Sequence, residues 1–257
     1  MSRSARSYRL AWLFHANTER FAHNAEPPLG DVWPLPPREQ PEAKLTSLRA
    51  PQQTPLKQLL DRRGSCRRFA EHSVGLGALG DVLYAGYGVT GHENWDRVEF
   101  ASRTVPSGGA LYPLEISIIA RRVDGLEPGV YHYLPEQHGL EEIVLADFPA
   151  TLLTYLFMGQ ASLIAAPALF VISAVWERSL RKYGDRGYRF MLLEAGHAMQ
   201  NINLACPEVG LESCNIGGFF DQELAELMRM DIDVETPLYA CAVGVPRDDD
   251  RMGRRDL

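Results

Sequence analysis

Four short segments of this 257-residue chain carry side chains in patterns that could do chemistry. The first is Arg103-Thr-Val-Pro-Ser-Gly-Gly-Ala-Leu-Tyr-Pro113, which leads into the apolar run Leu114–Ala120. Gly108 and Gly109 carry no Cβ, so a flat ligand can approach the main chain and its N–H groups there. Pro106 and Pro113 restrict the segment before anything binds, which makes Pro106, Ser107, Gly108 and Gly109 candidate binding residues. Alone, Pro-Ser-Gly-Gly is also ordinary turn chemistry. The second segment, Arg63-Gly-Ser-Cys-Arg-Arg-Phe69, sets the guanidinium groups of Arg63 and Arg67 around the hydroxyl of Ser65. Such a set suits a phosphate with a polyol tail, because arginine grips phosphate through two N–H groups and keeps its charge. A solvated basic loop has the same pattern. The third is Lys182-Tyr183, in a polar loop between a buried strand and a buried helix. A lysine beside a tyrosine can transfer protons where burial lowers the lysine's pKa, although a bare Lys-Tyr also suits a plain surface loop. The fourth, Asn215-Ile-Gly-Gly-Phe219 with Asp221 after it, would let the main chain at Gly217 and Gly218 face a planar ring, or simply make a turn.

Other chemistries are excluded by what the patterns lack. Gly75-Leu-Gly-Ala-Leu-Gly80 matches a dinucleotide fingerprint in letters, but Phe69–Val74 before it is a poor strand. Those glycines fit the first turn of a helix Leu76–Gly86 capped by Ser73. His197, Gln200 and Asn201 share one stretch of a long helix without a second histidine at ligand spacing, so no metal site is expected. They read as core or subunit-interface polar groups. Cys66, Cys206, Cys214 and Cys241 are too widely spaced for a zinc site and read as reduced thiols of a cytoplasmic protein. The net charge of −7 argues against nucleic acid as a partner.

The elements that must position these segments follow from periodicity. Tyr8–Phe21 reads as a helix with Leu10, Leu13, Phe14 and Phe21 near one face. The run Leu10–Phe14 is too short for a signal-peptide core. Seven prolines between Pro27 and Pro51 then make an irregular arm. Thr54-Pro55 opens a helix over Leu56–Arg63. Strands are expected at Leu114–Ala120, Val130–Tyr133, Ala168–Val175 and Leu238–Val245. Thr151–Val175 is uncharged and long enough for a membrane span, but Gly159-Gln160 and Pro167 divide it. It reads as a buried helix Phe148–Met158 followed by a buried strand. A long helix over Gly187–Cys206 keeps apolar spacing, and Pro207 should end or kink it. Helices and strands alternate without a βαβ period, which indicates an α+β domain.

In this order and combination, the motifs resemble the nitroreductase-like flavoprotein superfamily, and within it the SagB-type dehydrogenases with their azoline oxidases. The resemblance runs from Phe14-His-Ala-Asn-Thr18 through Arg63–Phe69, Pro106–Pro113 and Lys182–Tyr188. It continues over Glu194-Ala-Gly-His-Ala-Met-Gln-Asn201, Ile216–Phe219 and Val243-Gly-Val-Pro246. It implies a homodimeric α+β nitroreductase-like fold with a mixed central sheet flanked by helices. Residues 1–53 would form the N-terminal helix and arm, and 54–257 the FMN-binding domain. FMN would lie at the dimer interface, with Arg63 and Ser65 on its phosphate and ribityl chain and Arg67 near the pyrimidine edge. Pro106, Ser107, Gly108 and Gly109 would reach it from the opposite subunit, and Gly217 and Gly218 would meet the N5 edge. Arg247 and Arg251 are candidates for a C-terminal phosphate ligand.

Lys182 and Tyr183 match the catalytic pair of the azoline-oxidising branch, a pair not expected in plain nitroreductases. The implied substrate is a thiazoline or oxazoline carried on a peptide or carrier, with oxygen as final acceptor and the arm docking to a biosynthetic complex. An NAD(P)H-dependent nitro or quinone reductase, or a non-catalytic flavin-binding subunit, is the alternative. Pro207 departs from the pattern, since it falls in a helix expected to run on.

Overall fold

A strand as uniformly apolar as Ala168–Val175 must be covered on both faces, and that requirement shapes the whole molecule. The computed structural model describes residues 8–20, 43–95 and 98–248. Phe21, the prolines from Pro27 to Pro41 and Arg251 lie outside them. The first half holds α1 (Arg9–Thr18), α2 (Pro55–Arg62), β1 (Val74–Gly75), α3 (Leu76–Tyr87), β2 (Val89–Trp95) and β3 (Val98–Arg103). Then come β4 (Leu114–Ala120), β5 (Val123–Asp124), β6 (Gly129–Leu134), β7 (Gly139–Leu145), α4 (Ala150–Leu156) and α5 (Ala161–Ile164). The last part holds β8 (Ala168–Val175), α6 (Trp176–Tyr183), α7 (Arg186–Glu208), β9 (Glu212–Ile216), α8 (Asp221–Leu227) and β10 (Glu235–Gly244).

Six strands form the main sheet in the order β7-β6-β4-β8-β10-β9. The expected mixed sheet is corrected here: every neighbouring pair among these six is antiparallel. The physical reason is the place of β10. The α6–α7 crossover returns β9 in the direction of β8, but β10 inserts between them and pairs antiparallel with both. Among the described residues, parallel pairing is confined to the two-residue β1–β5 ladder and the bridge Ser65–Ser213.

Alternate residues of β8 serve two cores, as strand geometry requires. Phe170, Ile172 and Ala174 join α3 and α7 on one face, where Leu79, Leu83, Met191, Met199 and Ile202 are buried. Leu169 and Val171 join Leu153, Leu156, Phe157, Leu163, Ile164 and Leu224 on the other. Thr151–Val175 is thus split into α4, α5 and β8, and no helix among the described residues is long and apolar enough to cross a membrane.

Thr54 caps α2 by accepting from the Lys57 N–H at 3.1 Å, with Pro55 in the first turn. For α3 the expected cap fails: Gly75, not Ser73, precedes the helix, with no side-chain cap hydrogen bond. Pro207 lies in the last turn of α7, which ends at Glu208. The apolar stripe of α1 faces outward. Leu10, Leu13 and Phe14 are exposed, while Ala11, His15 and Glu19 are buried. On the buried polar side, His15 Nδ1 lies 3.0 Å from Tyr188 Oη, and its Nε2 lies 2.8 Å from Glu19 and 3.0 Å from Thr236 Oγ1. All four cysteines are buried and none forms a disulfide. Burial pushes the Cys206 thiol up to about 12, which leaves it inert.

Helices α6 and α7 meet at Gly187. A Cβ there would stand 2.9 Å from Ser179 Oγ and 3.0 Å from the Ser179 carbonyl. Since backbone cannot yield as a side-chain tip can, Gly187→Ala is expected to cost about 1–3 kcal/mol. Urea unfolding of the variant against the parent measures it.

Candidate active site

Lys182 and Tyr183 stand in the last turn of α6, not in the polar loop expected from the sequence. The helix begins directly after β8, anchored by buried Trp176 and Leu180. It stops at Gly184, whose φ of 56° and ψ of −148° are open to glycine at little cost. Lys182 is exposed and Tyr183 half-buried within this chain. The Tyr183 ring meets Phe190 of α7 edge-on at 4.9 Å, and Lys182 Nζ lies 5.3 Å from the centre of the Tyr183 ring.

The Ser-Gly-Gly segment closes over this pair. Gly108–Ala110 forms one tight helical turn, and Gly109, Ala110 and Tyr112 take φ values of 68°, 53° and 43°. A Cβ on Gly109 would lie 2.5 Å from Tyr183 Oη and 2.6 Å from Lys182 Nζ, so both groups converge on one point above the glycine. Gly108 lies against Phe190. Ser107 spends its hydroxyl inside the chain, donating to Glu194 Oε2 at 2.5 Å and accepting from the Tyr112 N–H at 2.9 Å. Pro106, Gly108 and Gly109 are exposed.

The basic segment comes together at the far end of α7. Ser65 bridges Ser213 of β9, Phe69 bridges Pro246, and the Arg247 N–H donates to the Arg68 carbonyl at 3.0 Å. These contacts gather Arg63, Ser65, Arg67 and Arg247, all exposed, onto one edge of the sheet. Arg62 ties that edge to α7 through the Pro207 carbonyl and, at 3.5 Å, Glu208. Three guanidinium groups with a hydroxyl form a donor set that fits a phosphate. Gly217 has open space where a Cβ would be, and the buried Asn215 Oδ1 has no hydrogen-bond donor. Such features suit an approaching ring that carries an N–H, so the residues present fit a flavin mononucleotide. Gly217 and Gly218 also border a cavity of about 500 Å³ with Phe14, Arg20 and Asp221. Burial pushes the Asp221 carboxyl up to about 6.

On the other side of the Leu111–Tyr112 wall lies a cleft of about 430 Å³, lined also by Arg103, Glu115, His132 and Arg178. Sequence reading did not single out Tyr87, Glu115, His132 or Arg178. Their signal is only that polar residues alternate with apolar ones on strands and helices. Arg178 Nη1 donates to the Tyr112 carbonyl at 3.2 Å, and Arg178 also pairs with Glu115. Burial would raise Glu115, but the hydrogen bond with His132 and the charge of Arg178 hold it below its ordinary value. Asn201 donates to the Ala85 and Thr104 carbonyls, whereas His197 and Gln200 are exposed in the single chain.

An α+β fold that pairs an arginine cluster with a glycine-floored loop is a scaffold suited to a flat, phosphate-bearing ligand. The chain matches the Nitroreductase family over residues 60–245 and belongs to it. It is 37% identical over 189 residues to the nitroreductase-like protein MJ1384 of Methanocaldococcus jannaschii, covering 74% of this chain and 90% of that one. It is 33% identical over 152 residues to the microcin B17-processing protein McbC of Escherichia coli, covering 57% of this chain and 56% of McbC. Among solved structures, a chain of the E. coli microcin synthetase McbBCD complex with truncated pro-MccB17 superposes with a TM-score of 0.74. The two are 22% identical, and the match covers 96% of this chain and 95% of that one. A Desulfovibrio desulfuricans nitroreductase-like structure in complex with FMN superposes with a TM-score of 0.51 at 19% identity, covering 77% and 90%.

Two outcomes follow from this geometry. Gly109→Ala should force Lys182 and Tyr183 apart and add left-handed strain, lowering stability by about 1–2 kcal/mol. Differential scanning calorimetry measures the loss. The hydrogen bond to Glu115, against an opposing burial, carries the His132 pKa from 6.5 to about 9. Because the folded value is raised, this stabilisation is complete below about pH 6.5 and is lost as pH rises through 9. Unfolding stability should fall by about 1–2 kcal/mol between pH 6.5 and 9.5 after allowance for solvent screening, and His132→Gln should flatten that fall.

Proposed function

We propose that this chain is an FMN-dependent dehydrogenase that oxidises a peptide- or carrier-borne thiazoline or oxazoline ring to the azole. The observation that carries the reading is the convergence of Lys182 Nζ and Tyr183 Oη on one point above Gly109. Azole formation removes a proton from one ring carbon and a hydride from its neighbour, with molecular oxygen as final oxidant. FMN, when bound, supplies the two-electron chemistry. Arg63, Ser65 and Arg247 would hold its phosphate and ribityl end, Arg67 would lie near its pyrimidine edge, and Gly217 and Gly218 would line its ring. Lys182 and Tyr183 take up and pass on the proton, which requires them within hydrogen-bond reach of the substrate carbon's hydrogen. The Gly108–Gly109 main chain forms a floor that a flat ring can approach.

A second copy of the chain completes this site in the proposal. Gly108 packs at Phe190 near one end of α7, and Arg62 at Pro207 near the other. Those positions are about 25 Å apart along the helix, too far for one FMN to join within one chain. Two copies crossing with their α7 helices in opposite senses would set the cradle of one beside the Lys-Tyr pair of the other. The exposed Leu192 and Leu193 on α7 supply apolar surface for such a contact.

Lys182→Ala and Tyr183→Phe should each slow azole formation at least a hundredfold while retaining bound FMN, read by product mass and by the flavin spectrum. Unchanged turnover in both variants overturns the assignment. The greater identity to MJ1384 favours a nitroreductase as the second reading, for which NAD(P)H would be the electron source. Rapid bleaching of bound flavin by NADH or NADPH in stopped flow selects it.

A further inference from the structure

Glu194 points into the core from the middle of α7 and is 2% exposed. Both of its oxygens are engaged. The Ser107 hydroxyl donates to Oε2 at 2.5 Å, and the Tyr87 hydroxyl donates to Oε1 at 2.7 Å. Each hydroxyl is held in turn by the main chain, since the Tyr112 N–H donates to Ser107 Oγ and the Leu114 N–H donates to Tyr87 Oη. Two relays therefore run from either side of Pro113 to one carboxylate.

The arrangement has a direction. A carboxylate accepts only, so it can end both relays with every hydrogen used. An amide or a protonated carboxyl in its place must donate to one hydroxyl, which then leaves its own hydrogen without an acceptor in a buried setting. Burial raises Glu194, and the hydrogen bonds from Ser107 and Tyr87 act against that rise. Arg103 adds a cation 5.5 Å from the Tyr87 ring and 5.8 Å from the Tyr112 ring. Its Nε and Nη1 are shielded and have no hydrogen-bond acceptor.

The loop so restrained carries backbone strain. Left-handed Ala110 and Tyr112 persist only where their surroundings over-determine them, at about 1–3 kcal/mol each. Gly109 of the same loop is the surface against which Lys182 and Tyr183 converge.

We propose that Glu194 is a positioning residue: through Ser107 and Tyr87, its carboxylate sets the height of the Ser107–Tyr112 loop over Lys182 and Tyr183. The effect on turnover rests on the reading of that pair as the proton-transfer group. The restraint on the loop does not.

Residue-resolved amide hydrogen exchange on the purified full-length protein separates positioning from general support. In Glu194→Gln the Tyr112 and Leu114 amides should exchange at least tenfold faster, while amides in β8 and mid-α7 keep their parent rates. Ser107→Ala should release Tyr112 alone, and Tyr87→Phe should release Leu114 alone. The chain has three lysines, Lys44, Lys57 and Lys182, so ¹³C-methylation of the amines gives an assignable Lys182 signal. That signal should move in Glu194→Gln and in Ser107→Ala. Parent-like exchange and an unmoved Lys182 signal overturn the proposal, as does uniform acceleration across the protein. If Glu194→Gln does not fold, Ser107→Ala and Tyr87→Phe decide by the same criteria. Failure of the catalytic reading looks different: azole formation survives Lys182→Ala, whatever the exchange rates show.

Discussion

The long helix α7 has to bury one face against both α3 and the sheet, and the candidate site segments are hung on that contact. Met191, Ala195, Ala198, Met199, Ile202 and Cys206 repeat at helical spacing and are buried. Each large side chain among them contributes about 1.5–3 kcal/mol through removal from water. Gly86 of α3 lets the two helices approach so closely that a Cβ there would stand 2.9 Å from Ile202. A helix fixed this firmly acts as a ruler. Its first turns hold Tyr183 and the glycine loop, and its last turn holds the basic edge. The distance between the glycine loop and the basic edge is therefore set by helix length and not by loop conformation.

Within this apolar frame a few buried polar groups decide orientation. Glu194 draws two hydroxyls and, behind them, two main-chain amides toward one point on α7. His15 does the same for α1, joining it to Tyr188 of α7 and Thr236 of β10. Ala11 adds a hydrogen bond to Asp185 at the start of α7. Such groups are costly to bury unpaired, so each tolerates few alternative arrangements. They turn generic hydrophobic packing into a defined placement of loops. The N-terminal helix is thereby locked to the domain by its polar side, which leaves Leu10, Leu13 and Phe14 facing outward.

Much of this was legible in the residues themselves. The strands Leu114–Ala120 and Ala168–Val175 fall where apolar runs placed them, and Thr54-Pro55 opens α2 as its chemistry requires. These features are local, since an apolar run or a cap residue states its own preference. The antiparallel sheet was not legible, because the insertion of β10 between β8 and β9 depends on pairing between segments far apart in sequence. Strands β2, β3, β7 and β9 were missed for a related reason. Each is short or rich in polar residues, and its partner strand supplies the missing preference. The outward direction of the α1 stripe was not legible, because apolar spacing assigns the buried face only when no polar network outbids it.

The candidate site divides along the same line. Residue types alone determined that Arg63, Ser65 and Arg67 could hold an anion, that Gly108, Gly109, Gly217 and Gly218 could admit a flat ring, and that Lys182 with Tyr183 could move a proton. Charge, hydrogen-bond capacity and the absence of a Cβ are properties of single residues, and folding does not alter them. Only the tertiary structure decided that the Lys-Tyr pair ends a helix, that Gly109 lies beneath it, that Ser107 answers to Glu194, and that Arg247 joins the basic edge. Those are distances between residues dozens of positions apart, and packing of the whole chain sets them.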